Sequence, residues 1–138
     1  MKRITVIALF TLAALATTGG AMAQDRAVRA IVPFDFTVGD KLLPAGAYEL
    51  TSPSTGIIEV QNRDAHVAML AATTYDSHES RNGDKLVFDK IGNQYFLSEV
   101  LCGQAAINVS LPASKLEKRA RMQEASLHNP SQVFVATK

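Results

Sequence analysis

Leu86-Val87-Phe88-Asp89-Lys90-Ile91-Gly92-Asn93-Gln94-Tyr95-Phe96-Leu97 is the stretch on which the fold turns. Two short apolar arms, Leu86-Val87-Phe88 and Tyr95-Phe96-Leu97, flank Ile91-Gly92-Asn93. Gly92 or Asn93 takes positive φ at low steric cost, so the chain reverses there and the arms pair antiparallel. The second arm runs on through Val100 and Leu101. A hairpin of this kind needs further strands and an apolar face to be stable. The neighbouring sequence supplies both.

Upstream, Ile31 to Val38 alternates, with Val32, Phe34, Phe36 and Val38 on one face. Pro33 has no N–H to donate, which predicts an edge position or a bulge. Gly39-Asp40 turns the chain, Lys41-Leu42-Leu43 is a short extended piece, and Pro44-Ala45-Gly46 is a second turn. Ala47 to Thr51 alternates again, with Tyr48 and Leu50 as face partners. Ser52 to Gly56 breaks that strand and Ile57 to Gln61 resumes it. Asn62-Arg63-Asp64 reads as a turn. Ala65 to Tyr75 reads as strand, and Asp76 to Asp84 as a polar loop carrying the turn pair Asn82-Gly83.

Downstream, Ala105 to Val109 is a further strand. The period then changes. Ser114 and Glu117 have capping-box spacing, which predicts a helix over about 114–125. Its apolar stripe is thin, Leu116 and Ala120 with Gln123 beside them. These should face the β-domain while Lys118 and Arg121 face water. Asn129-Pro130 stops the helix, and Ser131 to Ala136 reads as a last strand added to a sheet edge. Seven or eight short strands, turns every 8–12 residues and one C-terminal helix predict a mainly β fold: an antiparallel, Greek-key-like sandwich or small barrel.

The chain has 138 residues, enough for one domain. Residues 1–23 read separately. Lys2-Arg3, a short apolar run from Ile4 to Ala16 and the end Ala21-Met22-Ala23 form a secretory signal peptide, too short for a spanning helix. The domain is then 24–138, periplasmic or secreted, with no transmembrane segment after cleavage. Loss of Lys2 and Arg3 takes the net charge from +1 to −1. A chain this close to neutrality has no global field to attract nucleic acid or an acidic membrane. Cys102 is the single cysteine, so an internal disulfide is excluded, and its apolar setting predicts a buried small hydrophobe.

Leu43-Pro44-Ala45-Gly46-Ala47-Tyr48 resembles the L-x-x-G-x-Y segment of Greek-key β-proteins. There the tyrosine hydroxyl bonds back to the backbone a few residues upstream. Together with Val32-Pro33-Phe34-x-Phe36-x-Val38-Gly39, Phe88 to Val100 and the Leu111-Pro112-x-Ser114 approach to the helix, it resembles a group of small secreted bacterial β-rich proteins of unknown function. The resemblance implies a compact β-domain, with Leu43, Gly46, Tyr48, Gly92 and Ser114 in structural roles. It transfers no active site.

Motifs for chemistry are few. There is no G-x-S-x-G, Walker loop, dinucleotide fingerprint, C-x-x-C or H-E-x-x-H, so no cofactor is implied. The polar loop offers Asp76, His78, Glu79 and Asp84 as weak metal candidates. Their spacing departs from a calcium loop, and Arg81 sits among them. Lys115, Lys118, Arg119 and Arg121 make a basic helix stripe, read as a solvated face with contact to anionic envelope material as the alternative. The reading is a non-catalytic binding or structural module of the cell envelope or exterior, with an unknown ligand, no nucleic acid and an undetermined oligomeric state. The competing class is a small hydrolase or metal-dependent enzyme.

Overall fold

The alternating run at 31–38 does not form one strand. In the computed structural model, which describes residues 26–75, 83–125 and 131–137, Pro33 ends β1 (Val28–Val32). The chain then crosses to a different sheet and enters β2 (Phe36–Val38). A proline just past a strand end removes the next ladder donor, so the crossing falls where pairing would fail anyway. Phe34 rides in the crossing and stacks on Tyr95, centroids 4.0 Å apart. The Asp35 carboxylate accepts the Ala45 N–H at 2.8 Å.

The remaining strands are β3 (Lys41–Leu43), β4 (Gly46–Ser54), β5 (Ile57–Asn62), β6 (Val67–Ala72), β7 (Thr74–Tyr75), β8 (Lys85–Ile91), β9 (Gln94–Cys102), β10 (Ile107–Ser110) and β11 (Ser131–Ala136). One sheet has the order β1-β4-β5-β6, all antiparallel. The other runs β11-β8-β9-β10-β7, with β2 parallel to β9 through Thr37 and Phe96, and β3 antiparallel to β2. The two sheets curl into a half-barrel. The described residues hold eleven strands rather than seven or eight: the chain changes sheets at Pro33 and again at Thr73, dividing two runs, and β11 follows the helix.

The β8–β9 hairpin turns on Gly92 and Asn93, with Ile91 opposite Gln94. Gly92 has φ +60°, and a Cβ there would lie 2.7 Å from the Glu124 carboxylate. Glycine is favoured there by the positive φ, while the Glu124 side chain could swing aside from an added Cβ. The last strand adds to the edge as expected, β11 pairing with β8 along its whole length.

The core lies between the sheets. Val28, Val32, Leu50, Ile58 and Val60 project from one side, and Phe36, Leu43, Leu86, Phe88 and Val100 from the other. Tyr48 sits among them, 2% exposed, with its ring edge-on to Phe36. Its hydroxyl donates to the Pro44 carbonyl at 2.6 Å, four residues back. The buried Asn62 side chain hydrogen-bonds the same hydroxyl. Asn62 also accepts the Ala65 N–H through Oδ1 at 3.0 Å. Gly46 closes the corner: a Cβ there would lie 2.8 Å from the Asn62 amide nitrogen.

Helix α1 (Lys115–Glu124) starts where expected, with the Ser114 hydroxyl accepting the Glu117 N–H at 3.1 Å. The capping box is one-sided. The Glu117 carboxylate turns to Arg121 at 2.7 Å, and Arg121 also reaches Asp89 on β8 at 2.6 Å. This corrects the expected helix face. Glu117 is 5% exposed and Leu116 is 42% exposed, so an ion-paired face, with half-buried Ala120 beside it, meets the sheet and Leu116 does not. One guanidinium between two carboxylates lets those charges sit against protein, whereas Leu116 gains no comparable contact.

Two stability results follow. Tyr48→Phe leaves the Pro44 carbonyl and Asn62 without a shared partner and should cost about 1–2 kcal/mol in urea denaturation. Arg121→Ala strands the buried Glu117 carboxylate and should cost about 1–2 kcal/mol, a figure held down by the partial exposure of the guanidinium. Lys118→Ala, on the open side of the same helix, should stay within about 0.5 kcal/mol. Equal midpoints for the Arg121 and Lys118 variants would contradict the ion-paired helix face.

Candidate functional site

β1 and β11 are the end strands of the two sheets. They lie side by side with no ladder between them. Strand alternation decides what faces out beside this seam. On β1, Val28, Ala30 and Val32 are buried, so Arg29 and Ile31 point outward. On β4 the outward positions include Ala47 and Glu49, and on β5 Gln61. On β11, Val133 and Val135 pack toward the core and Phe134 points outward. The outward residues, with Pro33, Arg63, Asp64 and Ala136, line an open groove of about 1070 Å³.

The groove is apolar with a charged margin. Ile31 is 66% exposed and Phe134 is 56% exposed. The Lys85 ammonium lies 4.9 Å from the Phe134 ring centroid. Glu49 receives Arg29 at 3.7 Å and Arg63 at 3.3 Å, so a single carboxylate serves two guanidiniums. Both arginines are well exposed, and such pairs are weak and easily exchanged for another anion. A second hollow of about 540 Å³ lies between α1 and β9, lined by Leu42, Tyr95, Leu116 and Arg119 among others.

Of the metal candidates in the polar loop, Asp76, His78 and Glu79 lie outside the described residues, as does His128. Asp84 is described, and its carboxylate is engaged by protein, accepting the Gly103 N–H at 2.9 Å. His66 stands in the β5–β6 turn with φ 52°, its N–H donating to the Arg63 carbonyl at 3.3 Å. No group of three His, Cys, Asp or Glu side chains is assembled among the described residues. The basic helix stripe is reduced, since Arg121 is committed to Glu117 and Asp89. Lys115, Lys118 and Arg119 remain exposed. No helix among the described residues is long and apolar enough to cross a membrane.

Cys102 is 4% exposed and belongs to the core cluster. Burial pushes its thiol above the ordinary 9.0, and a hydrogen bond with Asp84 pushes the same way against opposing backbone bonds. Burial likewise raises the Tyr48 phenol, with Asn62 opposing and the Asp35 charge adding to it.

Sequence reasoning missed the groove residues and Asn62. Ile31 was signalled by its place in the alternation, opposite in phase to Val32. Asn62 follows Ile58 and Val60 at the same two-residue phase, which marks an inward position. No known family, curated protein or solved structure matches this chain.

Both raised groups keep their protons longer in the fold than in the unfolded chain. Their contribution to stability is complete below the unfolded-state pKa values and is lost as pH rises above them. The urea midpoint should therefore be lower at about pH 10 than at about pH 8. The native thiol should react slowly with a disulfide reagent and fully in denaturant. Fast native labelling would contradict the buried setting.

Proposed function

We propose that the chain is an exported, non-catalytic binding module of the cell envelope or exterior, and that its ligand lies in the β1–β11 groove. The observation that carries this reading is the pairing of Ile31 and Phe134, two large and mostly exposed apolar side chains on one concave surface. Exposed apolar surface gathered in a groove, with a few polar groups at the rim, is the usual form of a binding site. The rim charges of both signs, Arg29 and Arg63 with Glu49 and Asp64, favour a ligand with an apolar body and a few polar groups. Export rests on the Lys2-Arg3 start, the short apolar run and the Ala21-Met22-Ala23 end, which lie outside the described residues. The resemblance to small secreted bacterial proteins agrees with it.

The test is retention from envelope extract on the immobilised exported protein, with bound material identified by mass spectrometry. Wild type is compared with Ile31→Ser and Phe134→Ser, and each variant's melting is measured alongside. A molecule held by wild type and released by both variants, at unchanged melting temperature, is the expected result. Equal retention by all three proteins, or none by wild type, would sink the proposal.

A further inference from the structure

A second surface lies at the opposite end of the β1-β4-β5-β6 sheet from the groove. Strand β6, Val67-Ala68-Met69-Leu70-Ala71-Ala72, pairs with β5 over all six residues and, among the described residues, has no strand on its other side. An edge strand leaves every second residue's N–H and C=O pointing away from its neighbour, ready to pair. Proteins usually blunt such an edge with a charge, a proline, a bulge, short length or a cover. The other end strands show these devices. β1 carries Arg29 and stops at Pro33, β7 has two residues, and β11 lies against β1. β6 has no charged residue and no proline, and its pairing with β5 is unbroken.

We propose that β6 is a homodimerisation edge, pairing antiparallel with β6 of a second copy. The occupant is argued from charge and symmetry. A two-fold axis makes every strand meet itself, so a charged edge would set like charges close together, whereas this segment brings none. With the axis at Leu70, residues on the same face meet: Leu70 beside Leu70, Ala68 beside Ala72 and Met69 beside Ala71. Leu70 is 62% exposed, and Ala68 and Ala72 are exposed on the same side. The pair would bury these outward side chains against each other and close both rows of free backbone groups. Two four-stranded sheets become one of eight, β1-β4-β5-β6 continued by its symmetry mate.

Sedimentation velocity of the exported protein, from micromolar to near-millimolar concentration, tests this. Wild type should show a dimer whose share rises with concentration. Leu70→Lys places two ammonium groups across the axis and should give monomer at every concentration. Because Leu70 is exposed, its circular dichroism, and its melting at dilutions where wild type is monomeric, should match wild type. Ala68→Glu combined with Ala72→Lys sets opposite charges beside each other across the same axis and should keep the dimer. Hydrogen exchange should show β6 amides protected in wild type and fast in Leu70→Lys. A monomeric wild type throughout, or a dimer indifferent to Leu70→Lys, overturns the proposal. The first outcome leaves the edge for an extended peptide or for residues outside those described.

Discussion

The hydroxyl of Tyr48 holds the structure's most connected corner. It donates to the Pro44 carbonyl and is hydrogen-bonded by the buried Asn62 side chain, so it ties the entry of β4 to the end of β5. A buried polar group without a partner costs about as much as several methylene contacts return. Placing a phenol in the core therefore forces the surrounding chain into one arrangement. Gly46 must be glycine to let Asn62 approach, Asn62 must bend the β5–β6 turn to satisfy Ala65, and the Tyr48 ring must stand edge-on to Phe36. The crossing at Pro33–Asp35 is drawn into the same corner by the bond from Ala45 to the Asp35 carboxylate. That bond joins the two segments that cross between the sheets, 33–35 and 44–45.

Much of this was legible in the chain because it depends on short-range rules. The β8–β9 hairpin follows from two apolar arms around Gly92-Asn93, and the helix start from Ser114 three residues before Glu117. The tyrosine corner follows from a local motif, and β11 from a closing alternation. What the chain did not show is set by distance. The sheet change at Pro33 depends on where β4 and β9 lie, not on residues 31–38 themselves. From local spacing Glu117 reads as half of a capping box and Arg121 as water-facing. Asp89, remote in sequence, supplies the second carboxylate for Arg121 and turns that pair inward. The groove is legible only in part, because Ile31 and Phe134 become neighbours solely through the meeting of the first and last strands. The loop at 76–82 carries most of the titratable candidates and lies outside the described residues.

The distribution of charge separates two kinds of surface. Around the groove, charged side chains of both signs (Arg29, Arg63, Glu49 and Asp64) surround apolar ones that stand alone rather than in a strand-like row. Along β6 there is no charge, and what is offered is backbone. On the proposed readings, the first arrangement would select a ligand by its chemistry and the second would select an extended strand by its backbone. Their location at opposite ends of one four-stranded sheet lets both be occupied without competition.

The attachment of β11 has a kinetic consequence. Its neighbour β8 is completed on one side by a two-residue turn, but on the other only after β9, β10 and α1 have been laid down. Contacts that close a long stretch of chain form late, since the entropy of closure must be met before the ladder returns any energy. The free flank of β8 thus stays open through most of folding, and Phe134 reaches its place beside the groove with the final strand. The bond from the Thr137 N–H to the Asp84 carbonyl fastens that strand at its far end. A chain cut short before residue 131 would present β8 as a bare flank, a row of free backbone groups open to pairing with any extended segment.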